Sequence, residues 1–282
     1  MDTIIQILAR ELGRSEAHVE NVVRLIDEGN TSPFIARYRK ELHGAMDDTT
    51  LRTLADRLQY LRNLDKRREE VKSAIEGQGK LTEELSAAID AAATLAEVED
   101  LYRPYRQKRR TRATVAREKG LEPLAELLFA QAADGPAPEE AAGAFVDPEK
   151  GVETAEDALQ GASDIIAERI SDDADIRKRL RELVWKKGYL VSAAAAKEPE
   201  DTVYRLYYAF RSPLNRVQGH QVLAINRGER EGVLKVSVEM EREAALIPVR
   251  RAVLNPGAPA MAFVRAAAED AYDRLIFPSV ER

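Results

Sequence analysis

Ten residues of this 282-residue chain stand apart by type and spacing. Arg103-Pro104-Tyr105-Arg106-Gln107-Lys108-Arg109-Arg110-Thr111-Arg112 holds six cations and no acid. Cations on a stretch with few apolar anchors suit one chemistry above others, the neutralisation of phosphates with release of condensed counterions. Tyr102 and Tyr105 add aromatic faces on which unpaired bases stack. The candidate contacts are therefore Arg103, Tyr105, Arg106, Lys108, Arg109, Arg110 and Arg112, on an arm expected to be exposed and extended. The competing reading lays the arm across an acidic neighbour or leaves it in solvent. Residues 120–175 supply such a neighbour, with 15 acidic side chains against two basic ones.

A second basic run follows at 177–187, where Arg177, Lys178, Arg179, Arg181, Lys186 and Lys187 face a lone Glu182. Helical spacing would place Arg177, Lys178 and Arg181 on one exposed stripe. A helix opened by Thr154 precedes it, with a tight turn at Ser171-Asp172-Asp173 and the short apolar run Tyr189-Leu190-Val191 behind. That is the plan of a helix-turn-helix with a rudimentary wing. Arg177, Arg181 and Lys186 are its candidate phosphate contacts. The second helix nevertheless starts Asp173-Ala174-Asp175, where acids repel phosphates and no side chain suited to reading a base edge stands. Sequence-specific reading is not expected.

Catalytic chemistry finds no foothold. The chain has no cysteine and three histidines, His18, His43 and His220, too far apart to suggest a ligand set. Asp172, Asp173 and Asp175 lack the glycine and terminal glutamate of a calcium loop, and read as helix caps. Lys80 follows Gly79, but Ala74 stands where a phosphate-binding loop needs glycine. No nucleophile elbow or glycine-rich dinucleotide turn occurs. No catalytic residue, metal or cofactor is expected. The net charge of −6 opposes phosphate contact at long range, so binding should be weak and indifferent to sequence.

The elements that must position these residues read as helix after helix. Gly13 stops a first helix carrying Ile4, Ile5, Leu8 and Leu12, and Ser15 caps a second. Ser32-Pro33 is read as a cap followed by proline at the first helical position. The longest helix runs from Asp47 or Asp48 to Ile75, with Leu51, Leu54, Leu58 and Leu61 along a short seam. The stripe then shifts to Leu64, Val71 and Ile75. Two heptads are too few for a dimer, so a monomer is expected. Thr82 and Thr94 cap further helices, the latter as a capping box with Glu97, and helices resume near Leu121 and Glu139. Val233–Met240 alternates as a strand, Leu246-Ile247-Pro248-Val249 is a possible edge partner, and 221–227 leans towards helix. A last helix carries Met261 to Ile276 and stops at Pro278.

The fold class expected is mainly α, with the helix-turn-helix-like element and a small β element near 189–250. Three regions are assigned: 1–119 with the arm, 120–200 with the helix pair, and 201–282 as a mixed element and C-terminal helix. Nothing approaches a membrane span and the N-terminus lacks a signal peptide's basic and apolar regions, so a cytoplasmic location is expected.

Three stretches together resemble the Tex family, bacterial transcription accessory proteins similar to the eukaryotic Spt elongation-factor and histone-chaperone relatives. They are Asn30-Thr31-Ser32-Pro33-Phe34-Ile35-Ala36-Arg37-Tyr38-Arg39-Lys40-Glu41; Leu101 to Ala113 with Lys119-Gly120-Leu121-Glu122-Pro123-Leu124; and Leu223-Ala224-Ile225-Asn226-Arg227-Gly228-Glu229 with Glu231-Gly232. Ser32 stands where the family pattern has valine. The resemblance implies the N-terminal part of a longer protein, continuing into an RNase-H-like domain, helix-hairpin-helix elements and an OB-fold domain that carry most nucleic-acid binding. The role expected is a non-catalytic module that scaffolds those domains and adds weak, sequence-independent RNA or DNA phosphate contact. The alternative is a protein-interaction module that contacts the transcription machinery.

Overall fold

The computed structural model describes residues 3–107, 109–196 and 201–281. Helix accounts for 67% of the chain, with one small sheet, as the capped amphipathic segments require. The chain divides into two compact units, Met1–Tyr105 and Arg106–Arg282.

The first unit holds α1 (Ile4–Leu12), α2 (Glu16–Asp27), α3 (Ser32–Tyr38), α4 (Asp48–Glu76), α5 (Glu83–Ala91) and α6 (Leu95–Tyr102). Its spine is α4, 29 residues long, or about 43 Å. The leucine seam packs inside the chain. Leu51, Leu54, Leu58 and Leu61 join Leu8, Val19, Val22 and Ile35 in one core. Leu64, Val71 and Ile75 join Ile89 and Val98 in a second, as the shifted stripe predicts. Charges replace leucines beyond Leu64 because the seam meets the end of α5. There Arg68 donates to the Ala92 carbonyl at 2.7 Å, and Lys72 to Asp90 at 2.9 Å. Cations at a helix C-terminus satisfy its orphan carbonyls and complement its dipole.

Two details differ from the sequence reading. The N-cap of α3 is Thr31, which puts Ser32 and Pro33 inside the first turn, and no side chain caps it. The box expected at Thr94 forms by half. Thr94 accepts from Glu97 N, whereas the Glu97 carboxylate accepts from Ala93 N.

The second unit is built around α10 (Ala155–Ser171), whose neighbours are α7 (Arg112–Glu118), α8 (Glu122–Ala130), α9 (Pro138–Gly143) and α14 (Met261–Asp270). Gly161 allows the closest approach, because a Cβ there would overlap Leu121 and press on Ala116. Two α10 acids belong to the interior. Glu168 meets Arg117 at 2.7 Å and Asp164 meets Arg274 at 3.1 Å, so part of the acidic excess in 120–175 is internal pairing.

After α11 (Ala174–Lys187) come β1 (Tyr189–Ala194), β2 (Ala209–Pro213), α12 (Gly219–Arg230) and β3 (Leu234–Glu239). The antiparallel sheet has the order β2-β1-β3, with Tyr189 opposite both Pro213 and Glu239. Residues 221–227 are helical, as expected. Gly228 lets α12 lie close on the sheet, since a Cβ there would sit 2.6 Å from Leu234.

The structure departs from the sequence reading at three points. Leu246–Val249 is no strand but lies within α13 (Arg242–Val253), despite Pro248. A four-residue window hid the helical spacing by which Ala245, Leu246 and Val249 enter the core. The actual partner of β1 on its other edge, β2, was not recognised, because Ala209–Pro213 shows little alternation. Pro278 does not end the last helix either. A π-helical stretch at 271–276 follows α14, and Pro278 sits in the first turn of α15 (Phe277–Val280).

Candidate nucleic-acid interface

The arm is less extended than its composition suggests. Pro104 ends α6, and Arg103–Tyr105 closes into a single 3-10 turn. Arg103 is half-buried, and Tyr102 and Tyr105 pack against the Leu64–Val71–Ile75 core. Tyr102 also lies beneath the Arg67 guanidinium, 5.6 Å from the ring centroid. Gln78 Nε2 donates to the Tyr105 carbonyl at 2.9 Å. Apolar burial therefore holds the two tyrosines that were read as free stacking faces.

The remaining arm residues belong to the second unit. Arg106, Arg109, Arg110 and Arg112 are exposed, and Lys108 lies outside the described residues. Arg110 pairs with Glu118 at 3.0 Å across two exposed side chains, a contact of little energetic weight. Arg106, Arg109 and Arg112 form no ion pair among the described residues. Arg112 opens α7, a helix the arm's composition concealed.

What fixes this stretch is the polar anchor behind it. Thr111 caps α7 by accepting from Thr114 N at 3.0 Å. Its hydroxyl also donates to Glu168 at 2.9 Å, beside the Arg117 guanidinium at 2.7 Å on the other carboxylate oxygen. Burial alone would lower the Arg117 pKa. The hydrogen bonds and charges of Glu168 and, to a lesser degree, of Glu122 at 3.2 Å together outweigh it and hold the group above the ordinary arginine value. A neutral cap and one arginine on a buried carboxylate thus tie the last arm residue to α10.

The helix pair fares differently. Two residues, Asp172 and Asp173, join α10 to α11, and the Asp173 carboxylate accepts from Ile176 N at 2.8 Å, the cap the sequence suggested. Arg177 leaves the expected exposed stripe. It is 4% exposed and donates to the Ser171 carbonyl at 3.4 Å and Ser279 Oγ at 2.6 Å, joining the start of α11 to the C-terminal segment. The reason is periodicity, since Arg177 follows Ile176 onto the inward side with Leu180 and Val184. Arg181 is half-buried and Lys186 is exposed.

Lys186 opens onto something the sequence did not disclose. A groove of about 990 Å³ lies where β1 begins and β2 and β3 end, flanked by the last turn of α11 and the first of α13. Lys186, Lys187, Arg211 and Arg216 line it, together with Tyr189 and Asn215. Arg211 stacks on Tyr189, 3.5 Å from the ring centroid, and donates to Glu239 at 3.2 Å. Strand register brings them together, because Arg211 is the diagonal neighbour of Tyr189 on the same face. The only sequence signal was the Lys186-Lys187 pair. Arg211 and Arg216 join it through a strand pairing that was missed.

Comparison with known proteins agrees with this architecture. The Tex-like protein N-terminal domain matches residues 2–76, and the Tex central region-like family matches 134–281. The chain belongs to the Tex family. Among its relatives, protein YdcI of Bacillus subtilis is 44% identical over 98% of this chain and 39% of its own length. Transcriptional accessory protein Tex of Neisseria gonorrhoeae is 40% identical over 84% of the chain and 31% of its length. The human S1 RNA-binding domain-containing protein 1 is 30% identical over 98% of the chain and 29% of its length. The chain therefore spans about a third of these relatives. Among the described residues no helix is long and apolar enough to cross a membrane, and no group of three or more His, Asp or Glu is placed to hold a metal.

Proposed function

We propose that this Tex-family chain is a non-catalytic module of a transcription accessory factor, working in the cytoplasm as a monomer. In this reading it scaffolds further domains and adds weak, sequence-independent contact with nucleic-acid phosphates. The family relationship supports the role, since one relative is named a transcriptional accessory protein and another for an RNA-binding domain. The observation that carries the phosphate contact is the trio Arg106, Arg109 and Arg112, exposed and without ion pairs, on a segment anchored through Thr111. Unpaired cations keep their charge available to phosphate, whereas paired ones must first give up a partner. Affinity should be no better than roughly micromolar at physiological salt.

The test is a salt series on the 282-residue chain with a labelled 20-nucleotide oligouridylate. Changing Lys108, Arg109, Arg110 and Arg112 to alanine should weaken binding and flatten the plot of log K against log salt by about 3, at roughly 0.7 per lost contact on a single strand. The circular dichroism spectrum should stay helical. Parent-like binding across the series would remove the arm from the interface. Capture of RNA polymerase by the chain with no nucleic-acid binding would favour the protein-interaction reading.

A further inference from the structure

We infer that the groove at the open end of the β2-β1-β3 sheet is a second binding site, for a single-stranded nucleic acid, independent of the arm. Three observations meet there. The first is charge that the fold leaves unspent. Lys186, Lys187 and Arg216 are exposed, and none forms an ion pair among the described residues. The groove's two acids do not cancel them. Glu239 is held by Arg211 at 3.2 Å, which leaves Glu241 alone against three cations. A polyanion entering the groove gains charge contacts without breaking an internal pair.

The second is a planar surface. With Arg211 stacked on Tyr189 at 3.5 Å, one guanidinium face is packed against the ring while the exposed side chain presents the other. Guanidinium planes stack on unpaired bases much as aromatic rings do.

The third is shape. At about 990 Å³, the groove sits at the upper end of small-molecule sites, and it is partly open to solvent rather than enclosed. An open trough lined by cations, with one stacking plane and the Asn215 amide, suits a strand passing through. An acidic peptide would use the lysines but not the stacked plane, so the strand is the occupant that uses every feature.

The sole tryptophan, Trp185, is 61% exposed and immediately precedes Lys186, so its fluorescence reads occupancy at this end of α11. The experiment uses the 282-residue chain, the labelled 20-nucleotide oligouridylate and a blunt 20-base-pair duplex. Oligouridylate should quench Trp185 and bind more tightly than duplex. Lys186→Ala/Lys187→Ala/Arg216→Ala should reduce the salt slope by about 2, abolish the quench and leave the helical spectrum intact. Arg211→Met should cost the preference for single strand over duplex more than it costs the salt slope. An unchanged slope in the triple variant overturns the site, as does tighter binding of duplex. Displacement of oligouridylate by polyglutamate at equal charge concentration also overturns it, in favour of an acidic-peptide site. The arm variant run in parallel separates the two readings. If only the arm variant flattens the slope, the groove fails and the arm stands; if only the groove variant does, the reverse holds.

Discussion

Removing the Arg117 side chain should harm the second unit more than neutralising its partner. In the native protein the Glu168 side chain is 10% exposed and that of Arg117 34% exposed. Arg117→Met keeps the packing of the stem but takes the nearest cation from a buried carboxylate, which keeps its remaining partners, the Thr111 hydroxyl among them. Breaking a fully buried pair from one side costs about 3–5 kcal/mol. With a third of the arginine in water that figure must be discounted, to about 2–3 kcal/mol. Glu168→Gln should cost only about 1 kcal/mol, since the amide oxygen still accepts from Thr111 and Arg117 can turn towards solvent. In the double variant that buried charge is gone, so the sum of the single effects should exceed the double by about 1–2 kcal/mol. Urea unfolding followed by Trp185 fluorescence reads this in the second unit alone. Hydrogen exchange should show α7 amides losing protection first in Arg117→Met. Equal costs for the two single variants, or additivity within about 0.5 kcal/mol, would refute the asymmetric anchor.

Gly161→Ala should destabilise the second unit by about 1–3 kcal/mol, because the new methyl overlaps buried Leu121 and presses on Ala116; a thermal melt at or above the parent's would show that α7 and α8 can yield. In the first unit, Arg57 holds the Glu11 carboxyl below its ordinary 4.5 and Arg62 holds Asp27 below its ordinary 3.8, each chiefly by hydrogen bonding. Lowered folded-state values stabilise above the unfolded values, and the contribution is lost as pH falls through the folded ones. These pairs are a third to a half exposed, so the effect is modest: Arg57→Met/Arg62→Met should melt lower than the parent at pH 7, with the gap narrowing as the pH falls through the carboxylate range. A gap that does not narrow on acidification would mean the arginines act through packing instead.

Local chemistry was legible in the sequence because it acts over short spans. Caps at Ser15, Thr82 and Asp173, the left-handed stop at Gly13 and the shifting stripe of α4 each depend on residues within a turn or two of one another. So did the mainly helical class, and the motif stretches that carried the family resemblance. The tertiary structure alone decided which polar residues stay available. Arg177 and the arm's tyrosines looked exposed by composition, yet packing took them inward, since a helix face is assigned by what lies against it. Residues 246–249 looked like a strand until the core drew on the longer period of α13. The groove was beyond sequence reading, because Lys186, Tyr189, Arg211 and Arg216 meet only through the register of β1 with β2. Spacing along a chain fixes which residues share a face, and the pairing of distant segments fixes which faces meet.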